Sequence, residues 1–352
     1  MTLNPPSLLL ERNAAQLRGK VLFANPEDSF PTLLSQEADV YAWAQSYTVF
    51  SQLGTGLAEA KRHFGASLEG KDWQDFDHLV IYQPKAKELL GYLLAVALPR
   101  LKPGAQVWLV GDNKSGVKST VKKLPSYIVD VTKFEGAKHC LLFNGRLEGS
   151  APEFVFDDWI TSWQQEVAGQ SFTLCSLPGV FGHGKLDKGT EILLQQLQQH
   201  RFMSTVSDAR ILDFGCGDGI ISMWLHQKTG AKLTALDDSA LALKATELTF
   251  AANGCEESVT CLASNGLQNV KGRFNYVVTN PPFHTGINTD YSIAEQFFAG
   301  VKQHLTLNGE LFVVANDFLR YAPCIDAALG KHTQLHRGSG FAVYHARQQR
   351  PS

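Results

Sequence analysis

The sequence contains no apolar run long enough to cross a bilayer, so no membrane-spanning segment is expected. Its start, MTLNPPSLLLERN, lacks a basic segment followed by a long apolar core, and no secretory signal is read there. The six cysteines, at 140, 175, 216, 255, 261 and 324, show neither CxxC spacing nor a metal-ligand pairing with histidine. They read as buried or free thiols in a reducing cytoplasm, and no metal is expected. An excess of charge of one sign is missing too. The formal net charge is −2, with 17 basic and 19 acidic side chains in residues 1–170 and 15 of each in residues 171–352. A surface for a polyanion must therefore be local.

What is present is the composition of a globular chain, 44% apolar and 19% charged, in a length of 352 residues that favours two domains. Residues 1–150 read as one α/β unit. Lys20–Ala24, Asp77–Tyr82 and Gln106–Val110 are expected strands, Lys85–Leu98 has helical periodicity, and Lys102-Pro103-Gly104 is a turn. Residues 151–170 are a polar connector in which a helix is expected. In residues 171–352 strands and helices alternate: Arg210–Phe214, Gly219–Lys228, Lys232–Leu236, Ala240–Asn253, Ser258–Leu262, Asn275–Thr279, Ile293–Leu305 and Glu310–Ala315. That alternation predicts a parallel sheet covered by helices on both faces. Asp187 is the expected N-cap of a helix running to about Phe202, and Phe341–Ala346 is a last strand.

The halves also resemble each other. Phe76–Tyr82 parallels Phe274–Asn280, and Lys20–Phe23 parallels Arg210–Asp213, each pair in the same order relative to a proline, a helix and an apolar strand. This reads as an internal duplication. The first copy has lost the chemistry, with Phe23 in the place of Asp213 and Tyr82 in the place of Asn280. Any two α/β units look partly alike, which is the competing explanation.

Two motifs in the second half carry chemistry. Arg210–Gly219 reads RILDFGCGDG, a strand followed by Asp213, Phe214 and glycines at 215, 217 and 219. Glycine serves where the backbone turns sharply and a ligand must come close, and the following helix start offers free N–H groups. Past the next strand stand Asp237 and Asp238, placed to take ribose hydroxyls; Asp238 is alternatively a helix cap. Ser264 and Asn265, after the third strand, fit an adenine edge. The other motif, Asn280-Pro281-Pro282-Phe283, ends a strand abruptly because two prolines cannot donate to a ladder. An amide, a carbonyl and an aromatic ring are left at the sheet's carboxyl edge, where open α/β sheets bind ligands. Such a corner holds a planar amino group; the same residues also suit an ordinary turn.

Glycine turn, second-strand acid and NPPF corner together resemble the S-adenosylmethionine-dependent methyltransferases of the Rossmann-like class. That resemblance implies two tandem Rossmann-like methyltransferase domains, each a mostly parallel seven-stranded sheet, the first a degenerate copy. Nearly the whole chain is similar to the RsmC family, the ribosomal RNA small subunit methyltransferase C enzymes. VGDNKSGVKS, LPGVFGHGKLDKGTEILL, DFGCGDG, NPPFHTG and GELFVVANDFL carry the likeness. It implies methyl transfer from S-adenosyl-L-methionine to guanine N2 in 16S ribosomal RNA of the small subunit, by a cytoplasmic enzyme expected to be a monomer. The chain departs from the family at Asp238, where members often have an apolar residue, and Asp237 is taken as the ribose ligand.

The implied site assigns catalysis to Asn280, Pro281, Pro282 and Phe283, and the cofactor to Asp213, Phe214, Gly215, Gly217, Gly219, Asp237 and Asn265. The densest basic cluster, Lys114, Lys118, Lys122 and Lys123, is a candidate phosphate contact or else a solvated face. His183, His284, His332 and His336 read as surface or loop residues, with His284 near enough to the corner to line a pocket. Rival readings are methylation of another planar nitrogen (guanine N2 in 23S RNA, adenine N6 or a glutamine amide) and a non-catalytic RNA-binding assembly factor.

Overall fold

A computed structural model describes residues 3–200, 208–281 and 291–349. The chain divides into two compact units, Met1–Trp159 and Ile160–Ser352. No described helix is long and apolar enough to cross a membrane.

In the first unit the strands are β1 (Lys20–Ala24), β2 (Asp39–Ala44), β3 (Arg62–Phe64), β4 (Phe76–Tyr82), β5 (Leu101–Asp112), β6 (Ile128–Ala137) and β7 (Cys140–Leu147). They form one sheet in the order β3-β2-β1-β4-β5-β7-β6. Helices α1 (Pro5–Arg12), α2 (Phe30–Leu34), α3 (Tyr47–Leu53), α4 (Lys87–Ala97) and α5 (Val117–Val121) accompany it. The second unit opens with a hairpin of β8 (Thr161–Val167) and β9 (Gln170–Ser176). Its sheet holds β10 (Ile211–Phe214), β11 (Leu233–Asp237), β12 (Val259–Ala263), β13 (Phe274–Thr279), β14 (Leu305–Asn316), β15 (Thr333–Gly338) and β16 (Phe341–Arg347), in the order β12-β11-β10-β13-β14-β16-β15. Helices α6 (Lys188–Gln199), α7 (Ile220–Thr229), α8 (Ala240–Ala252), α9 (Tyr291–Val301) and α10 (Tyr321–Leu329) complete it.

The two strand orders are the same, and the agreement extends to single residues. Phe23 pairs with Val80 in the first sheet as Asp213 pairs with Val278 in the second. In both, the fourth and fifth strands slip at one place. Leu101 faces Phe76 and then Gln106 faces His78, while Leu305 faces Phe274 and then Glu310 faces Tyr276. The turn expected at Lys102-Pro103-Gly104 is this outward excursion, with Gly104 at φ +82°. The first residue of each sheet's central strand region is capped alike: Asp77 Oδ2 accepts the Lys20 N–H at 2.8 Å, and Asn275 Oδ1 accepts the Arg210 N–H at 2.9 Å. Unrelated α/β units would not share a slip and a cap at matching positions. The halves are copies.

Three departures from the sequence reading have physical causes. The connector 151–170 holds a short 3-10 turn, Phe156–Trp159, and then strand β8 rather than a helix. Every second side chain of this stretch, Trp163, Gln165 and Val167, is turned from solvent, and β9 supplies the partner ladder. The last strand, β16, lies inside the sheet, antiparallel between β14 and β15. Helix α8 is capped by Ser239, whose hydroxyl accepts the Ala242 N–H, and not by Asp238.

Alternation along the second sheet decides which face each site residue sees. Ile211 and Val278 join Trp224 and Leu193 in the core beneath α6 and α7, whereas Leu212, Phe214 and Val277 join Phe297 and Phe298 beneath α9. Asp213 lies between Leu212 and Phe214 and so turns toward α7, and Asn280 shares the parity of Val278.

In the first copy, the equivalent edge is closed by its own side chains. Ser7 Oγ donates to Asp28 Oδ1 at 2.8 Å, so the Tyr82 hydroxyl, 2.7 Å from Ser7 Oγ, donates to it. Asp28 also accepts the Asn4 and Phe30 N–H groups at 2.7 and 2.9 Å. Tyr82 is wholly buried, and Tyr82→Phe leaves the Ser7 oxygen short of a donor. Stability in chemical denaturation should fall by about 1–3 kcal/mol, with cofactor affinity unchanged. A change in cofactor affinity would mean that this crevice does more than pack.

Candidate active site

Strand β13 brings the chain to Thr279, whose buried hydroxyl donates to the Phe214 carbonyl at 2.7 Å and ties the ends of β13 and β10 together. Pro281, also buried, lets the ladder go no further. Between them Asn280 projects onto the start of α6. Its Nδ2 donates to Asp187 Oδ2 at 3.1 Å and to Thr190 Oγ1 at 2.9 Å. Asp187 is the N-cap of α6, accepting the Thr190 N–H at 2.9 Å. Both protons of the amide are thus engaged, and Oδ1 is the end of Asn280 that can accept.

The opposite wall is the glycine turn. Gly215 and Cys216 donate their N–H groups to the Leu236 carbonyl at 2.8 and 3.0 Å. Gly217 stands at φ +57°, and among the described residues a Cβ there would meet only the Phe181 carbonyl, 3.8 Å away. Space has been left on that side. Gly219 is needed for a different reason: at φ +81° a Cβ would press within 3.0–3.1 Å of Thr246 on α8. Glycine here lets two helices approach.

The walls border one open cleft, lined by Phe181, Lys185, Asp187, Thr190, Gly217 and Asn280 among others. Its loop is braced by His183, whose Nδ1 lies 3.0 Å from Ser176 Oγ. Three acids surround the glycine turn. Asp237, at the end of β11, accepts the Gly217 and Ser239 N–H groups at 3.2 and 2.9 Å. Protein surrounds it closely although part of it reaches the surface, and burial pushes it up to about 6. Asp218 lines the cleft, accepts the Ile220 N–H at 3.3 Å, and is pushed up to about 7 by burial. Asp213 lies behind the turn, fully buried, its Oδ2 taking the Ser222 N–H and hydroxyl at 3.1 and 2.7 Å. Its Oδ1 has no partner among the described residues, and burial raises it to about 7.

The residues singled out from sequence fall into several groups. Asn280, Gly215 and Gly217 line the cleft, and Asp237 holds its turn; Gly219 shapes the helix behind. Asp213 and Phe214 are interior, Phe214 packing on Phe297 at 4.3 Å between ring centres. Asn265 follows β12 with part of its surface exposed, whereas Ser264 is buried and accepts the Asn269 N–H. Pro282, Phe283 and His284 lie outside the described residues. Of the other histidines, His332 bonds to Asp326 and His336 to the Gly338 carbonyl. Lys114, Lys118, Lys122 and Lys123 are all exposed on and around α5, and none pairs with an acid among the described residues. Sequence reasoning gave Asp187 a capping role and missed that it and Thr190 hold Asn280.

The methyltransferase small domain family matches residues 171–345, and its N-terminal domain family matches residues 7–163. A protein of Marinomonas sp. (strain MWYL1) named ribosomal RNA small subunit methyltransferase C is 68% identical over 99% of both chains. The chain belongs to the ribosomal RNA small subunit methyltransferase C family. A relative of that name from Acinetobacter baumannii is 36% identical over 98% of this chain and 99% of its own. The solved structure of a T. thermophilus 16S rRNA N2 G1207 methyltransferase (RsmC), in complex with AdoMet and guanosine, superposes with a TM-score of 0.85. It covers 98% of this chain and 92% of its own at 23% identity, a likeness of fold.

For a methyltransferase of this family the clamp on Asn280 has a measurable consequence. Thr190→Val removes one acceptor while keeping the side chain's shape, so the amide is less firmly aimed. Methyl transfer should fall between roughly tenfold and 100-fold, the range that small misplacements cost, while cofactor affinity holds and Thr190→Ser restores the rate. Wild-type turnover in Thr190→Val would separate the clamp from catalysis.

Proposed function

We propose that the chain transfers a methyl group from S-adenosyl-L-methionine to the exocyclic N2 of a guanine in 16S ribosomal RNA. Residues 171–352 carry the chemistry, and residues 1–150 help hold the RNA. One observation carries this reading: the aimed amide of Asn280 and the glycine turn are two walls of a single cleft. The names of the full-length relatives agree with a small-subunit ribosomal RNA substrate.

The site suits S-adenosylmethionine on this chain's own evidence. Gly217 leaves room for close approach of a ligand. Asp237 keeps lone pairs beyond the two it gives to backbone, fit for a ribose diol, and Asn265, just past the end of the next strand out, suits the adenine edge. The cofactor carries a sulfonium and an ammonium against one carboxylate, and the acids Asp213, Asp218 and Asp237 give the cleft a field of the complementary sign. When bound, it supplies an electrophilic methyl group. Guanine N2 is a weak nucleophile because its lone pair is spread into the ring, and Asn280 is no base at neutral pH. Alignment is the protein's main contribution, which can remove on the order of 7–11 kcal/mol from a barrier. Asn280 Oδ1 and the Pro281 carbonyl accept the two amino protons and leave the lone pair aimed at the methyl group.

Large aromatic side chains are exposed at the cleft and just past β14. Phe181, at the cleft, is 66% exposed, and Phe318, two residues past β14, is 68% exposed. Phe181 offers a stacking face at the cleft, worth roughly 1–3 kcal/mol for one base. The target guanine must be unpaired or turned out of its stack to enter. We read the enzyme as a monomer that uses no metal in the chemistry and works beside its ribosomal substrate in the cytoplasm.

Radiolabelled methyl transfer to small ribosomal subunits, followed by nucleoside analysis, tests the reaction. N2-methylguanosine is expected from the wild type and none from Asn280→Ala, which should bind S-adenosylmethionine as before. Label in adenine or in protein would replace the substrate, and full transfer by Asn280→Ala would remove the proposed role. The lysines are tested separately. Lys118→Glu combined with Lys122→Glu should weaken RNA binding and flatten its salt dependence by about 0.7–0.9 in slope per lost phosphate contact. An unaltered slope would mark the cluster as a solvated face.

A further inference from the structure

At the far end of α6 from Asn280, three side chains from three elements meet. His200 closes the helix, its N–H donating to the Leu197 carbonyl at 3.0 Å. Glu310 and His345 come from the neighbouring strands β14 and β16. Phe312 and His345 are register partners with rings stacked 4.7 Å apart, and Glu310, two residues before Phe312, projects from the same face. His345 Nε2 lies 3.0 Å from Glu310 Oε2. The His200 ring stands 4.9 Å from that of His345 and edge-on to Phe312 at 5.0 Å. One ligand atom from each of His200, Glu310 and His345 falls within 4.8 Å of the other two. The carboxylate is only 9% exposed and His345 17%.

A single cation would neutralise this carboxylate, and Arg347 already stands by, its Nε 3.9 Å from Glu310 Oε1. A second imidazole brought to the same point exceeds what an ion pair requires. It matches the donor set of a borderline metal, two imidazole nitrogens and a carboxylate oxygen. Metal–ligand bonds of about 2.0–2.1 Å at tetrahedral angles put ligand atoms about 3.3 Å apart. The His345–Glu310 distance is already close to that, and the His200 ligand atom stands within 4.8 Å of both. The C-terminal end of a helix also favours a positive charge.

We propose that His200, Glu310 and His345 form a binding site for a transition-metal dication of the Zn²⁺ type. Three protein ligands leave a position for water. The site lies a helix length, about 18 Å for twelve residues, from the turn that holds Asn280, so the metal pins the end of α6 to the sheet and takes no part in methyl transfer. Sequence spacing could not disclose it. The ligands are separated by most of the second unit and converge only when β16 inserts beside β14.

Full-length protein stripped with a chelator and titrated with Zn²⁺ tests the assignment. One equivalent per chain and a higher melting temperature with the metal are expected. Co²⁺ in its place should give the visible bands of a four-coordinate nitrogen and oxygen site without thiolate charge-transfer absorption, which sets this site apart from the six cysteines. His200→Gln and His345→Gln should each cost more than the roughly 10–100-fold lost with an outer-shell partner. His200→Gln alters a partly exposed residue at a helix end, and unchanged circular dichroism shows that it still folds. Equal binding by wild type and His200→Gln, thiolate ligation of the first Co²⁺ equivalent, or no saturable uptake would each overturn the proposal.

Discussion

The two hydrogen bonds from Asn280 Nδ2 to Asp187 and Thr190 are the constraint on which the site depends. A primary amide is nearly symmetric in shape, and unrestrained it presents donor and acceptor about equally. Two acceptors on one side remove that ambiguity, because the reversed amide would set its oxygen against two oxygens. The acceptors are themselves fixed, Asp187 by capping α6 and Thr190 by burial in its first turn. The aim of a strand-end side chain is thus set by a helix that begins 93 residues earlier in the chain. Pro281 supplies the other half of the constraint by ending the strand where the amide must emerge.

The first copy shows the same framework put to a different use. Asn4 holds the N-cap position of α1 as Asp187 holds that of α6, though without a side-chain cap bond, and Ser7 meets Tyr82 as Thr190 meets Asn280. Asp28 accepts the Phe30 N–H as Asp218 accepts that of Ile220. Asn25 even keeps the positive φ of Gly215, at +56° against +77°. What differs is side-chain volume and who satisfies the acid. Glu27 and Ser29 stand where the second copy has Gly217 and Gly219, and the Tyr82 ring fills the corner that Asn280 leaves open. Asp28 is bonded on both oxygens by its own chain, whereas Asp218 faces the cleft. A crevice that satisfies itself has no use for a ligand; the second copy has been left incomplete in the places where the first was filled.

Much of this was legible in the sequence because it rests on local rules. Alternating strand and helix patterns gave the parallel sheet, Asp187 announced a cap, and DFGCGDG and NPPF marked two strand ends on the same edge. Register made the duplication readable, since Phe23 and Tyr82 could be set against Asp213 and Asn280 by counting. What stayed hidden depends on long-range pairing. Nothing local to β16 says that it enters the sheet between β14 and β15, and nothing near Thr190 says that it meets a residue 90 positions away. Asp213 looked like a ligand because it stands beside the glycines. Strand alternation sends it instead to Ser222 behind the turn, where it holds the start of α7.

That placement of acids has an energetic consequence. Asp213 and Asp218, pushed up to about 7, and Asp237, pushed up to about 6, all lie well above their ordinary value of 3.8, and burial is the chief cause for each. Between about pH 4 and 7 the folded chain therefore binds more protons at these groups than the unfolded chain does. Their contribution to stability is greatest below the unfolded value and is lost as pH rises through about 6 to 7. A core optimised for stability would not collect three carboxylates around one turn. A cleft that receives a ligand of net positive charge gains from them, since the ligand favours the ionised forms that burial opposes. Under the proposed function, the cost of burying these acids and the pull they would exert on a cationic cofactor have one origin, the removal of carboxylates from water around a turn made of glycine.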